Sequence, residues 1–116
     1  KYFRQGSFGI AERHFRKAVE RSPEDAESWM GLAASYDRLK RFDLADRAYA
    51  QAIRLVGATP EIMNNQGFSF MLRGDYARAR AMLVAAQRKD PASPYIKNNL
   101  VMLDQMLRKA KGVNQP

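Results

Sequence analysis

A 34-residue period runs through this chain and leaves few folds open to it. Laying residues 26–59 over 60–93 brings Ala33 onto Gly67, Tyr36 onto Phe70, Phe42 onto Tyr76, Ala45 onto Ala79, Tyr49 onto Leu83 and Ala52 onto Ala86. The same phase runs backward, where Gly6, Phe8, Ala11, Phe15, Ala18 and Pro23 match Gly74, Tyr76, Ala79, Leu83, Ala86 and Pro91. It also runs forward, to Leu100 and Val101. A period of this length marks a stacked helical repeat, because one unit cannot bury its own apolar stripe and neighbours must cover the rest. Such folds offer long binding surfaces and rarely do chemistry.

At 116 residues the chain is one domain at most. No apolar run approaches the ~20 residues of a membrane-spanning helix. No secretory leader opens it. It also opens in mid-repeat and without Met, so it reads as a piece of something longer. The absence of Cys removes disulfides and thiolate metal sites. A net charge of +8 fits either a solvated basic surface or an acidic partner, an anionic membrane or nucleic acid.

Each unit holds two apolar periodic stretches around a turn. Thr59 is the expected N-cap of a helix from Pro60 to Arg73, since proline costs nothing at the first helical position. Gly74 should end it in the left-handed conformation. Asp75 should cap a second helix from Tyr76 to Lys89, closed by Asp90-Pro91. Ser93-Pro94 repeats the start signal for a helix to about Lys111, with Gly112 after it. In the preceding unit Ser22-Pro23 predicts a helix running to about Lys40, then another from Asp43 to Leu55, broken by Gly57. Ala33 or Gly67 and Ala45 or Ala79 let two backbones approach closely. Tyr36, Phe70, Phe15 and Tyr49 fill the space beside them.

The pattern Trp29, Leu32, Ala33, Tyr36, Ala45, Tyr49, Ala52 resembles the tetratricopeptide repeat, as does Gly67, Phe70, Gly74, Tyr76, Ala79, Leu83, Ala86, Pro91. The resemblance covers nearly the whole chain. Gly57, Met63 and Gln66 depart from it, standing where proline, tryptophan and leucine are usual. It implies an all-α right-handed superhelix of antiparallel helix pairs, with first helices lining a concave groove. The chain then divides into a partial repeat 1–25, repeats 26–59 and 60–93, a capping helix 94–111 and a tail 112–116. The strings NNQGFSFMLRGDYARARAML and PYIKNNL are similar to TadD-type proteins of bacterial tight-adherence pilus assembly. That likeness implies an assembly factor in the periplasm or at the outer membrane, reached through an upstream lipid anchor. Without it the cytoplasm is the expected place.

The ends differ. On the last helix Lys97, Val101, Asp104 and Arg108 share one face and Ile96, Leu100, Leu103 and Leu107 another. Such a helix can cover a stack on one side and meet water on the other, so it reads as a cap near a natural C-terminus. Lys1 to Gln5 reads as the last turn of a helix whose start is missing. The expected result is an apolar edge at Tyr2, Phe8, Ala11 and Phe15, covered by further repeats or by another copy.

The resemblance assigns groove-facing positions to Glu27, Met30, Ala34, Asp37 and Arg38, to Glu61, Asn64, Phe68, Met71 and Leu72, and to Tyr95, Asn98, Met102, Gln105 and Met106. Met adapts to apolar guests and Asn can both donate to and accept from a peptide backbone. The same residues also suit plain packing between neighbouring first helices. Some tetratricopeptide domains grip a C-terminal carboxylate with Lys, Asn and Arg. Asn65 fits one such place, but Met30, Ala34, Tyr95 and Asn99 do not. Basic residues gather elsewhere: Arg13, Arg16, Lys17, Arg21, Arg47, Arg54, Arg78, Arg80, Arg88, Lys89, Arg108, Lys109 and Lys111. They fit a solvated convex face or a phosphate-binding one, although no aromatics are interleaved to stack bases. A single histidine, His14, serines without a convergent base and the lack of a glycine-rich phosphate loop or metal-ligand spacing give catalysis no support. The expected partner is another protein or a peptide, with no cofactor.

Overall fold

The computed structural model describes residues 5–112. Among these it has six α-helices and no strand: α1 (Gln5–Arg21), α2 (Ala26–Arg38), α3 (Phe42–Val56), α4 (Pro60–Leu72), α5 (Tyr76–Lys89) and α6 (Pro94–Ala110). The chemistry of the caps explains the boundaries. Thr59 Oγ1 accepts from Ile62 N at 3.1 Å, Asp75 Oδ1 from Arg78 N at 3.2 Å, and Ser93 Oγ from Ile96 N at 3.3 Å. Each satisfies one of the orphan donors of a first helical turn. Gly57, Gly74 and Gly112 all take positive φ after the helices they end.

Two sequence expectations fail locally. Ser22-Pro23 does not open α2: Ser22 N still donates to Ala18 O at the end of α1. Asp25 is the cap, accepting from Glu27 N at 3.2 Å and from Ser28 Oγ at 2.7 Å. Proline sits three residues before the first helical position, and Asp is as good a cap as Ser. Gly6, aligned with the helix-ending Gly74, lies instead inside α1. Gln5 lies in the same helix, and Lys1 to Arg4 of the expected remnant lie outside the described residues.

Lys40 stands one period before Gly74 and does the same work with the wrong side chain. Its φ is 60°. Lys40 N donates to Asp37 O and Arg41 N to Tyr36 O, as Gly74 N donates to Met71 O and Asp75 N to Phe70 O. A left-handed non-glycine residue is strained by its Cβ. Lys40→Gly should stabilise the chain by about 0.5–1 kcal/mol, the relief of strain outweighing the added freedom of the unfolded chain. Chemical denaturation reads this; a lower midpoint would show that the lysine side chain contributes more than its strain.

The chain contains two compact units, Lys1–Ile62 and Met63–Pro116. In the first, α1 packs on α2 and α2 on α3. Its core joins Val19, Met30, Leu32, Ala33, Ala45, Ala48, Tyr49, Ala52 and Ile62, flanked by Phe15, Trp29, Tyr36 and Ile53. A Cβ on Gly31 would meet the Phe15 ring at 2.4 Å, so α1 and α2 touch there without room for a methyl group. In the second, α5 packs on α6, and the core joins Met71, Ala79, Leu83 and Leu103. A Cβ on Gly67 would meet Leu83 Cγ at 2.6 Å. The small residues are thus where helices cross. Asn99 Nδ2 donates to Asn64 Oδ1 at 2.9 Å and ties α6 to α4.

Polar groups enter the first unit in pairs. The Tyr49 hydroxyl donates to Asp37 Oδ2 at 2.8 Å, both residues being buried. The Tyr36 hydroxyl donates to Glu12 Oε2 at 3.3 Å, and Arg16 pairs with the same carboxylate at 3.0 Å. Burial first, and the Glu12 charge second, push the Tyr36 phenol above its ordinary value. The fold therefore favours the neutral phenol. That contribution is whole below pH ~10 and is lost as pH rises through the raised value. Above pH ~10 wild type should lose stability more steeply than Tyr36→Phe, read from melts across the alkaline range. Parallel curves would mean that folding does not raise the Tyr36 phenol.

Candidate functional site

The expected groove positions do not share one fate. Met30, Asp37, Asn64 and Met71 are buried, at 8%, 3%, 9% and 2% exposure. They are fixed by packing rather than offered to a ligand. Met30 joins the first core and Met71 the second. Asp37 accepts from Tyr49, and Asn64 from Asn99. The physical reason is position: each is on the edge of its helix's apolar stripe, where a neighbouring helix covers it. Glu27, Ala34, Arg38, Glu61, Leu72, Tyr95, Asn98 and Gln105 are exposed, and Phe68, Met102 and Met106 are half-buried. Arg38 lies over the Phe8 ring, 5.5 Å from its centroid.

Within the second unit these residues make one coherent face. Tyr95, Asn98, Met102 and Gln105 follow one another at three and four residues along α6, which places them on a single stripe. Lys109 extends the stripe by a further turn and is exposed. Beside it, Phe68 from α4 and Met102 and Met106 from α6 pack against the Met71–Leu103 core while leaving part of their surface open. Tyr95 is 74% exposed, the most open large hydrophobic of the described residues. The result is an apolar floor with aromatic and amide groups at its rim. The Asn64–Asn99 bond holds the two helices in register. Lys109 was legible from spacing, but its company of Arg108 and Lys111 masked it as part of a basic run.

The rest of α6 divides as its pattern implies: Lys97, Val101, Asp104 and Arg108 are exposed, and Ile96 and Leu103 are buried. Asp104 pairs with Arg108 at 3.2 Å. All thirteen residues of the basic set are exposed. On second helices Arg16 pairs with Glu12, Arg78 with Asp75, and Arg54 donates to Gln51. On α1, the places of the fully buried Ala45, Ala52, Ala79 and Ala86 are taken by Ala11 and Ala18, which are only half-buried, like Phe15. Ile10 is 62% exposed. No cluster of three or more His, Asp or Glu side chains capable of holding a metal occurs among the described residues. No described helix is long and apolar enough to cross a membrane.

The Tetratricopeptide repeat family profile matches residues 1–60 and, overlapping them, 35–94. Tetratricopeptide repeat protein 7B of Homo sapiens is 26% identical over 92 residues, which are 79% of this chain and 11% of that protein. The chain thus spans about a ninth of that relative's length. Among solved structures, the first TPR of Spaghetti (RPAP3), bound to the HSP90 peptide SRMEEVD, superposes with a TM-score of 0.73 at 22% identity. The match covers 92% of this chain and 85% of the other, and shows a shared fold.

Proposed function

Because this chain belongs to the tetratricopeptide repeat family, we propose that it is a non-catalytic protein–protein interaction module that holds a peptide or helix of a partner on its first-helix faces. The observation that carries this reading is the α4–α6 face of the second unit. There Tyr95 and Asn98 stand exposed at the rim of half-buried Phe68, Met102 and Met106. A solvated helix face gains nothing from an open tyrosine beside methionines, whereas such a mixture suits a contact surface. That the neighbouring fold holds an HSP90 peptide supports a peptide as the class of partner. The particular peptide does not carry over. Met30, Ala34 and Tyr95 lack the cationic or amide groups a terminal-carboxylate grip requires, and Asn99 spends its amide on Asn64.

A partner held on this face should bind with weak salt dependence. Alanine at Tyr95, Asn98 or Phe68 should weaken it by roughly 1 kcal/mol or more at the worst position. A second reading, a nucleic acid or anionic surface bound by the exposed basic side chains, predicts steep salt dependence instead. Binding abolished by charge reversal at Arg78, Arg80 and Arg88, with the α4–α6 variants normal, would replace the first reading with the second. A finer proposal, an assembly factor for tight-adherence pili, rests on the strings quoted above. It requires that deleting the gene in its source cell abolish pilus display while pilin is still made; normal pili would end it.

A further inference from the structure

We propose that the α6 stripe takes an acidic, partly apolar segment of a partner protein, with Tyr95 as its anchor. This deepens the reading of the α4–α6 face and rests on it. The internal repeat supplies the comparison. The place of Tyr95 is held by Glu27 in α2 and by Glu61 in α4, each an acidic residue in its helix's first turn. A carboxylate there complements the positive end of the helix dipole. The first turn of α6 has none. Tyr95 therefore forgoes a local stabilisation that both neighbours keep, and instead leaves an aromatic ring in water. Among the described residues no hydrogen bond or ring contact engages it.

Charge points the same way. Residues 63–116 hold nine of the twenty basic and three of the twelve acidic residues, so they carry +6 of the net +8. None of the three carboxylates belongs to the stripe. Asp75 caps α5 and pairs with Arg78. Asp90 ends α5. Asp104 pairs with Arg108 on another face of α6. The stripe itself reads Tyr95, Asn98, Met102, Gln105, Lys109, without a carboxylate. An incoming segment that brings carboxylates meets no like charge on the α6 stripe itself, Glu61 standing in the first turn of α4; it gains from the positive surroundings and can place apolar side chains on Phe68, Met102 and Met106.

The test is to pan a random linear peptide library against the full chain and measure the enriched peptides on wild type, Tyr95→Ala, Tyr95→Glu and Asn98→Ala. The expected peptides are net acidic with apolar residues, and they weaken roughly tenfold or more on both Tyr95 variants. Tyr95→Glu should meanwhile melt at or above wild type. Enriched peptides that are neutral or basic but still depend on Tyr95 would overturn the acidic class and leave the face standing. Peptides indifferent to Tyr95 and Asn98, or no enrichment at all, would overturn the face itself. A clear fall in the melting temperature of Tyr95→Glu would make Tyr95 a structural residue and remove it as anchor.

Discussion

Gly67→Ala should lower stability by about 2–3 kcal/mol, more than most single-methyl changes. The added Cβ would lie 2.6 Å from both Cγ and Cδ2 of Leu83, and 3.4 Å from the carbonyl oxygen of Ala79. Leu83 is fully buried, so it has no open space to retreat into. Helix propensity favours alanine over glycine by ~1 kcal/mol, and the clash has to exceed that gain. Thermal melts of Gly67→Ala and of Gly67→Ala with Leu83→Val separate the two effects. The second change shortens the side chain that is struck, so it should return part of the loss. If Gly67→Ala alone melts at or above wild type, α4 and α5 do not approach as closely as drawn. The period already carries a control: Ala33 occupies the same place as Gly67, and there the Leu83 position holds the flat ring of Tyr49.

One residue earlier, the opposite sign is expected. Gln66→Leu should raise stability by about 1–2 kcal/mol, or roughly 4 °C or more in melting temperature. Gln66 takes the place of Leu32 and Leu100. Its Oε1 is buried and has no hydrogen-bond partner among the described residues. An unsatisfied buried acceptor loses its solvation and gains nothing for it. Leucine has similar bulk and no such group. A drop in melting temperature would show that the amide takes part in contacts worth more than its stranded oxygen costs.

The candidate face was only partly legible in sequence, and the failures share one cause. Met30, Asp37, Asn64 and Met71 sit at repeat positions that can face either a groove or the next helix. Spacing fixes the side of the helix to within a turn's quarter, and that is too coarse to separate edge from interior. Tyr95 and Asn98 are exposed and Asp37 is buried although Asp37 is the most polar of the three. The hydroxyl of Tyr49, contributed from α3, is a partner that offsets the burial of that carboxylate. No local pattern in α2 announces a partner twelve residues away.

What the sequence determined by itself is the number, kind and order of the helices. Periodicity of apolar residues and the chemistry of Thr59, Gly74, Asp75 and Ser93 are local signals, and each acts within one turn of the residue that carries it. The same local logic could have found Lys40, one period before Gly74. Tertiary structure decided everything that depends on a distant neighbour. It paired Asn64 with Asn99 and stranded the oxygen of Gln66. It also left Tyr95 open, because the exposure of one side chain is set by what the other helices cover, and a chain's own spacing does not record that.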